Sequence, residues 1–213
     1  FVFKVFSILL HAMKCKIVHK ATELFLTLGV KSVTMDDIAR ELSMSKKTIY
    51  ASYKNKSCLV SEVVNALFDK VSKGINEICK QELNPIEELY AIKKFVSIQL
   101  KNERVSPQFQ LQKYYPDIFE KFQVKKFEQL NAITVQNVQR GMNLGLYRED
   151  LNIDFVSRIY FVGMTGIVDD RIFPVTNFPK THLVESFLVY HLRGIVTKKG
   201  LDRLKQLMTE NTL

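Results

Sequence analysis

Cysteine and histidine are scarce in this 213-residue chain, and neither is spaced for a chemical task. Cys15, Cys58 and Cys79 form an odd set without a Cys-x-x-Cys pair, which argues against a disulfide framework and a thiolate zinc site. A reducing cytoplasm is the setting this usage fits. His11, His19, His182 and His191 include no i, i+4 pair, so no metal is expected, and no cofactor either. Glycine-rich phosphate loops and a nucleophile elbow are also missing, which removes the common signatures of nucleotide-dependent and hydrolytic enzymes. Gly163-Met164-Thr165-Gly166 is too short a signal and lies in an apolar stretch, where it reads as close helix packing. No apolar run is long enough for a membrane span. The first twelve residues, FVFKVFSILLHA, come nearest; with a domain directly behind them and Met13-Lys14 resembling a natural start, they read as upstream read-through or as a helical extension. Alternating strand patterns and internal repeats are absent as well.

What is present is an ordinary globular composition, 46% hydrophobic and 25% charged, organised at helical spacing. The most informative stretch runs from Thr34 to Lys56. Thr34 precedes Met35, Asp36 and Asp37, so its hydroxyl caps a helix whose first-turn carboxylates complement the dipole. Ile38, Ala39 and Leu42 give that helix an inward face. Ser43-Met44-Ser45 then interrupts it, and Ser45 caps a second helix from about Lys46 to Tyr53. Two short helices joined by a tight turn make a helix-turn-helix, which places its second helix in the DNA major groove. Lys46 and Lys47 break the dipole rule at the start of that helix, a cost of about 0.3–1 kcal/mol each. Meeting phosphates or guanine edges would explain the cost. Tyr50 offers a hydroxyl at the reach of a phosphate, while Ile49 and Tyr53, four apart, pack inward.

Upstream, Ile17, Ala21, Leu24, Phe25 and Leu28 recur at helical spacing until Gly29 ends the helix. Downstream, a long helix from Ser57 to about Lys80 carries Leu59, Val63, Leu67, Val71, Ile75 and Ile78 on one face. Asn84-Pro85 with Glu87 starts another, expected over about 85–102. Further helices are predicted near 107–115, at 116–143, 154–170 and 180–197, and after Gly200. The fold class is all-α, with residues 13–56 as a three-helix DNA-binding domain, 57–83 as a connecting helix and 84–213 as a helical bundle.

The stretch from Ala21 to Val64 resembles the DNA-binding domain of the TetR family of bacterial transcriptional regulators. It carries Phe25-x-x-x-Gly29, Thr34-x-x-x-Ile38-Ala39, Ser45-x-x-Thr48-Ile49-Tyr50, the aromatic Tyr53 and Lys54-x-Lys56 at the family's spacing. The resemblance implies that Thr34, Lys46, Lys47, Thr48, Tyr50, Ser52 and Lys56 face a double-stranded DNA operator. Lys47 stands where the family usually has a small residue, and Ser52 where histidine or tyrosine is frequent, so operator sequence is not transferable. The resemblance also implies that the carboxy-terminal bundle holds a small-molecule pocket and dimerises through its last helices. Aromatic crowding suits an apolar or aromatic effector, with Phe95, Phe109, Gln110, Tyr114, Phe122, Arg158 and Phe161 as candidate ligand residues. Phe187, Tyr190, His191 and Ile195 are the candidate homodimer surface, in keeping with the two-fold symmetry of operators.

Charge agrees with this reading. The formal net charge is +9, and residues 1–60 hold 10 Lys/Arg against 4 Asp/Glu, so the basic excess lies with the helix-turn-helix. A ligand-released repressor is the leading expectation. An architectural DNA-binding protein would need basic charge spread along more of the chain, and a small helical enzyme lacks any catalytic signature.

Overall fold

The computed structural model describes residues 2–99, 107–174 and 176–210, and among them the chain is helical with no strand. Ten helices follow in order: α1 Val2–Leu28, α2 Met35–Glu41, α3 Lys46–Ser52, α4 Lys56–Cys79, α5 Pro85–Gln99, α6 Pro107–Tyr114, α7 Pro116–Asn143, α8 Ile153–Gly166, α9 Lys180–Ile195 and α10 Lys198–Glu210. None of the described helices is long and apolar enough to cross a membrane. α1 begins well ahead of the periodic apolar positions, because the preceding residues carry no helix breaker and simply continue the hydrogen-bond ladder. The expected residues 100–102 of α5 lie outside the described residues.

Two compact units emerge from the packing. The first takes in the chain up to Val71 and the stretch that ends at Val124; the second comprises Ser72–Gln99 and the chain from Lys125. α4 and α7 contribute residues to both.

In the first unit, α1 supplies Ile17, Ala21 and Phe25 to a core closed by Ile38, Ile49, Tyr53 and Leu59. Fully burying one such aliphatic side chain contributes about 1.5–3 kcal/mol, so this core accounts for the persistence of two seven-residue helices too short to stand alone. Leu28 departs from the expected inward stripe and is exposed, since it ends α1 just before Gly29 turns the chain with φ +85°. α6 belongs to this unit: Leu111 is buried in the same core, and Tyr115, Phe119 and Phe122 pack against it.

The second unit packs Ile86, Leu89 and Tyr90 of α5 against Val138 of α7, Tyr160 of α8, Leu188 and Leu192 of α9, and Leu204 of α10. α8 ends at Gly166, four residues before its expected end, where Asp169 folds back to accept backbone and guanidinium hydrogen bonds from Arg171. α10 starts at Lys198 instead of after Gly200. Gly200 sits inside the first turn because a Cβ there would collide with the carbonyl oxygen of Leu146. Glycine serves that helix as a point of close approach rather than as a boundary.

Candidate nucleic-acid interface

Local side-chain chemistry builds the helix-turn-helix. Thr34 Oγ1 accepts from the Asp37 backbone N–H at 3.1 Å, and Asp37 Oδ2 accepts from the Thr34 N–H at 2.9 Å, a reciprocal capping box. The bonds from Thr34, with the Arg40 guanidinium behind them, hold the Asp37 carboxyl below its usual range. α2 closes with Ser43 in the left-handed region at φ +52°; the Ser43 N–H donates to Arg40 O and the Met44 N–H to Ala39 O. This pair of bonds fixes the turn, with serine occupying a conformation that glycine adopts most easily. Ser45 Oγ then accepts from the Thr48 N–H at 3.1 Å and starts α3.

The dipole conflict at α3 has a local answer that sequence reading missed. Lys46 Nζ donates to Asp36 Oδ2 of α2, and this bond raises the lysine's pKa above its ordinary value. Asp36 thus counters both the repulsion from the helix start and part of the charge offered to DNA. Spacing gave no hint of the pair, since ten residues separate them and only the turn geometry brings them together. Lys47 and Tyr50 are exposed. Thr48 and Ser52 are half-buried: the Thr48 hydroxyl lies 2.8 Å from Ser45 Oγ, and the Ser52 hydroxyl donates to Thr48 O at 3.3 Å. Lys56 is half-buried at the start of α4, where its Nζ donates to Lys31 O at 3.3 Å and desolvation lowers its pKa. All seven candidate DNA-facing residues lie in the first unit, on α3, at the start of α4 and, for Thr34, at the cap of α2.

Residues 17–63 match the family model described as bacterial regulatory proteins, tetR family. Residues 17–63 thus resemble the DNA-binding domain of that family. The chain is 25% identical over 185 residues to the HTH-type transcriptional repressor KstR2 of Mycolicibacterium smegmatis, covering 84% of this chain and 89% of that protein. It is 32% identical over 83 residues to YhgD, an HTH-type transcriptional regulator of Bacillus subtilis, covering 37% of this chain and 44% of the other. Among solved structures, a TetR-family regulator from Agrobacterium tumefaciens superposes with a TM-score of 0.71 at 17% identity, over 88% of this chain and all of that one (100%). The fold of this protein is therefore shared along nearly its whole length. The family match over residues 17–63 and the similarity to a repressor over most of both chains make it a DNA-binding transcriptional regulator.

The candidate ligand residues divide between the units. Phe109, Gln110, Tyr114 and Phe122 fall in the first, where Phe122 meets Phe68 edge to face at 6.2 Å and Gln110 Oε1 accepts from the Lys31 N–H at 3.0 Å. Phe95, Arg158 and Phe161 fall in the second: Phe95 covers Gly74, and Arg158 lies over the ring of Phe127, which packs edge to face on Phe161. A cavity of about 500 Å³ opens in the second unit, and its lining includes Cys79, Glu88, Ile133, Gln136 and Arg140. None of the seven candidates borders it.

The candidate dimer residues also separate. Ile195 and His191 are buried in the chain's own core, and Phe187 stacks on Tyr160 and fills the space beside Gly163. Tyr190 is 77% exposed on α9. On α8, Phe155, Ile159 and Val162 form an exposed apolar row at i, i+4 and i+7, with Phe155 61% and Val162 60% exposed. Sequence reading did not single out this row; the inner face of α8 is Val156 and Tyr160.

Proposed function

We propose that this transcriptional regulator is a cytoplasmic repressor that binds a near-palindromic DNA operator as a homodimer and is released by a small molecule. It is not read as an enzyme. The observation that carries the DNA reading is the exposed Lys47–Tyr50 surface of a capped α3, together with the family match over residues 17–63. A recognition helix capped at its start and held by a buried Ile49 can enter a groove without paying to order itself. The repressor sign rests on the similarity to a repressor over most of both chains.

Two-fold binding requires two copies of α3 about 34–36 Å apart, or a multiple of it. The exposed row on α8 with Tyr190 of α9 is the surface we assign to self-association, because unpaired apolar side chains at this density favour a partner. Val162→Asp is expected to shift a sedimenting dimer to monomer and leave helicity intact; an unshifted species would move the interface elsewhere. The effector reading rests on the cavity in the second unit, which exceeds the ~300 Å³ at which ligand sites begin. Ile133 and Leu144 beside Gln136 and Arg140 suit a ligand with an apolar body and a polar group. α4 and α7 run through both units, so a ligand that favours one placement of these helices would alter the DNA-binding unit. The test of the whole reading is selection of duplexes from a random-core library by the wild-type protein, then competition against a shuffled duplex. Preference of about 10³-fold or more supports a specific regulator. A ratio near one supports an architectural binder instead.

A further inference from the structure

Gln110 was a candidate ligand residue by sequence, yet its amide is spent on the turn that leads into the helix-turn-helix. α1 ends at Gly29, whose φ of +85° sends the chain back toward α2, and a Cβ at that position would collide with the Gln110 amide. Two residues on, the Lys31 N–H donates to Gln110 Oε1 at 3.0 Å, across 79 positions of sequence. The Lys31 carbonyl accepts from Lys56 Nζ at 3.3 Å. Lys31 is thus held at both backbone groups, by α6 on one side and by the start of α4 on the other. Its own ammonium lies over the Tyr114 ring of α6, 5.1 Å from the centroid. Leu111, buried in the first core, anchors α6 in this position. Three residues after Lys31, Thr34 caps α2.

We infer that Gln110 is a positioning residue for DNA binding: by fixing the Gly29–Lys31 turn it holds the carbonyl on which Lys56 is oriented toward the phosphate backbone. This rests on the DNA-binding reading above and adds to it a residue from α6, outside the helix-turn-helix. Without the Gln110 oxygen the Lys31 N–H turns to water, the turn samples other conformations, and DNA must order it on binding. The loss of one such bond corresponds to about threefold to tenfold in affinity.

The test is a double-mutant cycle on the full chain, with the duplex selected by the wild-type protein as probe. Gln110→Met, which keeps length and helix propensity but no acceptor, is expected to bind about threefold to tenfold more weakly than wild type. In a Lys56→Ala background the same change should cost almost nothing further, because the group it orients is gone. Gln110→Glu keeps an oxygen on the Lys31 N–H and is expected to match wild type at salt high enough to screen its added charge. Circular dichroism confirms that each protein is folded at the assay temperature, and Gln110→Glu carries the test if Gln110→Met is not. Undiminished binding by Gln110→Met, losses that add in the double variant, or a Gln110→Glu protein as weak as the methionine variant would each overturn the role of Gln110. A wild-type protein that selects no duplex would instead remove the DNA-binding reading on which the inference stands.

Discussion

Replacing Arg140 with alanine is expected to cost about 3–5 kcal/mol of stability, the usual consequence of stranding a buried charge. Glu88 is 1% exposed, and its two oxygens are both occupied: Oε2 accepts from Arg140 Nη1 at 2.7 Å and Oε1 from Asn137 Nδ2 at 2.7 Å. Asn137 in turn accepts from the Tyr147 hydroxyl at 3.1 Å and donates to Pro85 O at 2.8 Å. Arg140 also donates to Leu83 O, so one guanidinium ties α7 to the chain entering α5 and neutralises the only carboxylate among the buried residues described. Alanine removes the cation and leaves the carboxylate in place. Urea unfolding followed at 25 °C should show the midpoint fall with the slope unchanged. A Glu88→Leu/Arg140→Leu double variant should recover much of the loss, because desolvation of the pair no longer has to be offset. A single-variant loss below about 1 kcal/mol would show that the network is not an energetic keystone of the second unit.

Acidification is expected to weaken the fold through His191. The imidazole is 7% exposed, with Tyr160 at 4.7 Å and Phe187 at 6.0 Å between ring centroids, and burial lowers its pKa from 6.5 to about 4. Below about 6.5 the unfolded chain binds a proton that the native protein refuses, so unfolding gains free energy as pH drops. Stability is therefore full above about pH 6.5, declines as pH falls toward 4, and loses no more from this group below that. At 1.36 kcal/mol per pKa unit the decline amounts to about 3 kcal/mol. His191→Leu fills the same space without a titrating group. Measured across pH 7 to 4, the stability of the wild type relative to this variant should fall by about that amount. Parallel curves would mean that the ring is protonated in the native state.

The legible parts of the molecule were those decided by neighbours in sequence. Thr34 and Ser45 as caps, Gly29 as a helix end, and Ile38, Ile49 and Tyr53 as inward positions all follow from interactions within one or two turns, and the structure shows each of them. What sequence reading missed depends on chain segments meeting from afar. Leu111 and Gln110 join the first unit from a segment expected to sit with the carboxy-terminal bundle, through contacts that no local period encodes. His191 and Ile195 carry the composition of an interface but face their own core, while Tyr190, adjacent to His191, faces out; a rotation of 100° per residue decides which, and apolar content alone does not. Gly200 has the same ambiguity, since a helix end and a close contact both call for glycine. Aromatic content likewise pointed to a pocket lining, whereas the cavity is bordered by Glu88, Arg140 and Gln136.

The central claim is that α3 and the start of α4 are the DNA-contacting surface, and salt titration of operator affinity tests it most directly. Affinity of the wild type and of Lys46→Ala, Lys47→Ala and Lys56→Ala is measured for the selected duplex over a range of salt. Each lysine that neutralises a phosphate contributes about 0.9 to the slope of log affinity against log salt, and a lysine on a guanine edge contributes about 1–3 kcal/mol of discrimination. Lys47, exposed and with no carboxylate partner among the described residues of the kind Lys46 has in Asp36, is expected to show the larger loss of the two α3 lysines. Weaker binding in these variants, with the slope reduced by about one for each phosphate contact, is the predicted result. Affinity and slope unchanged in all three would contradict the account.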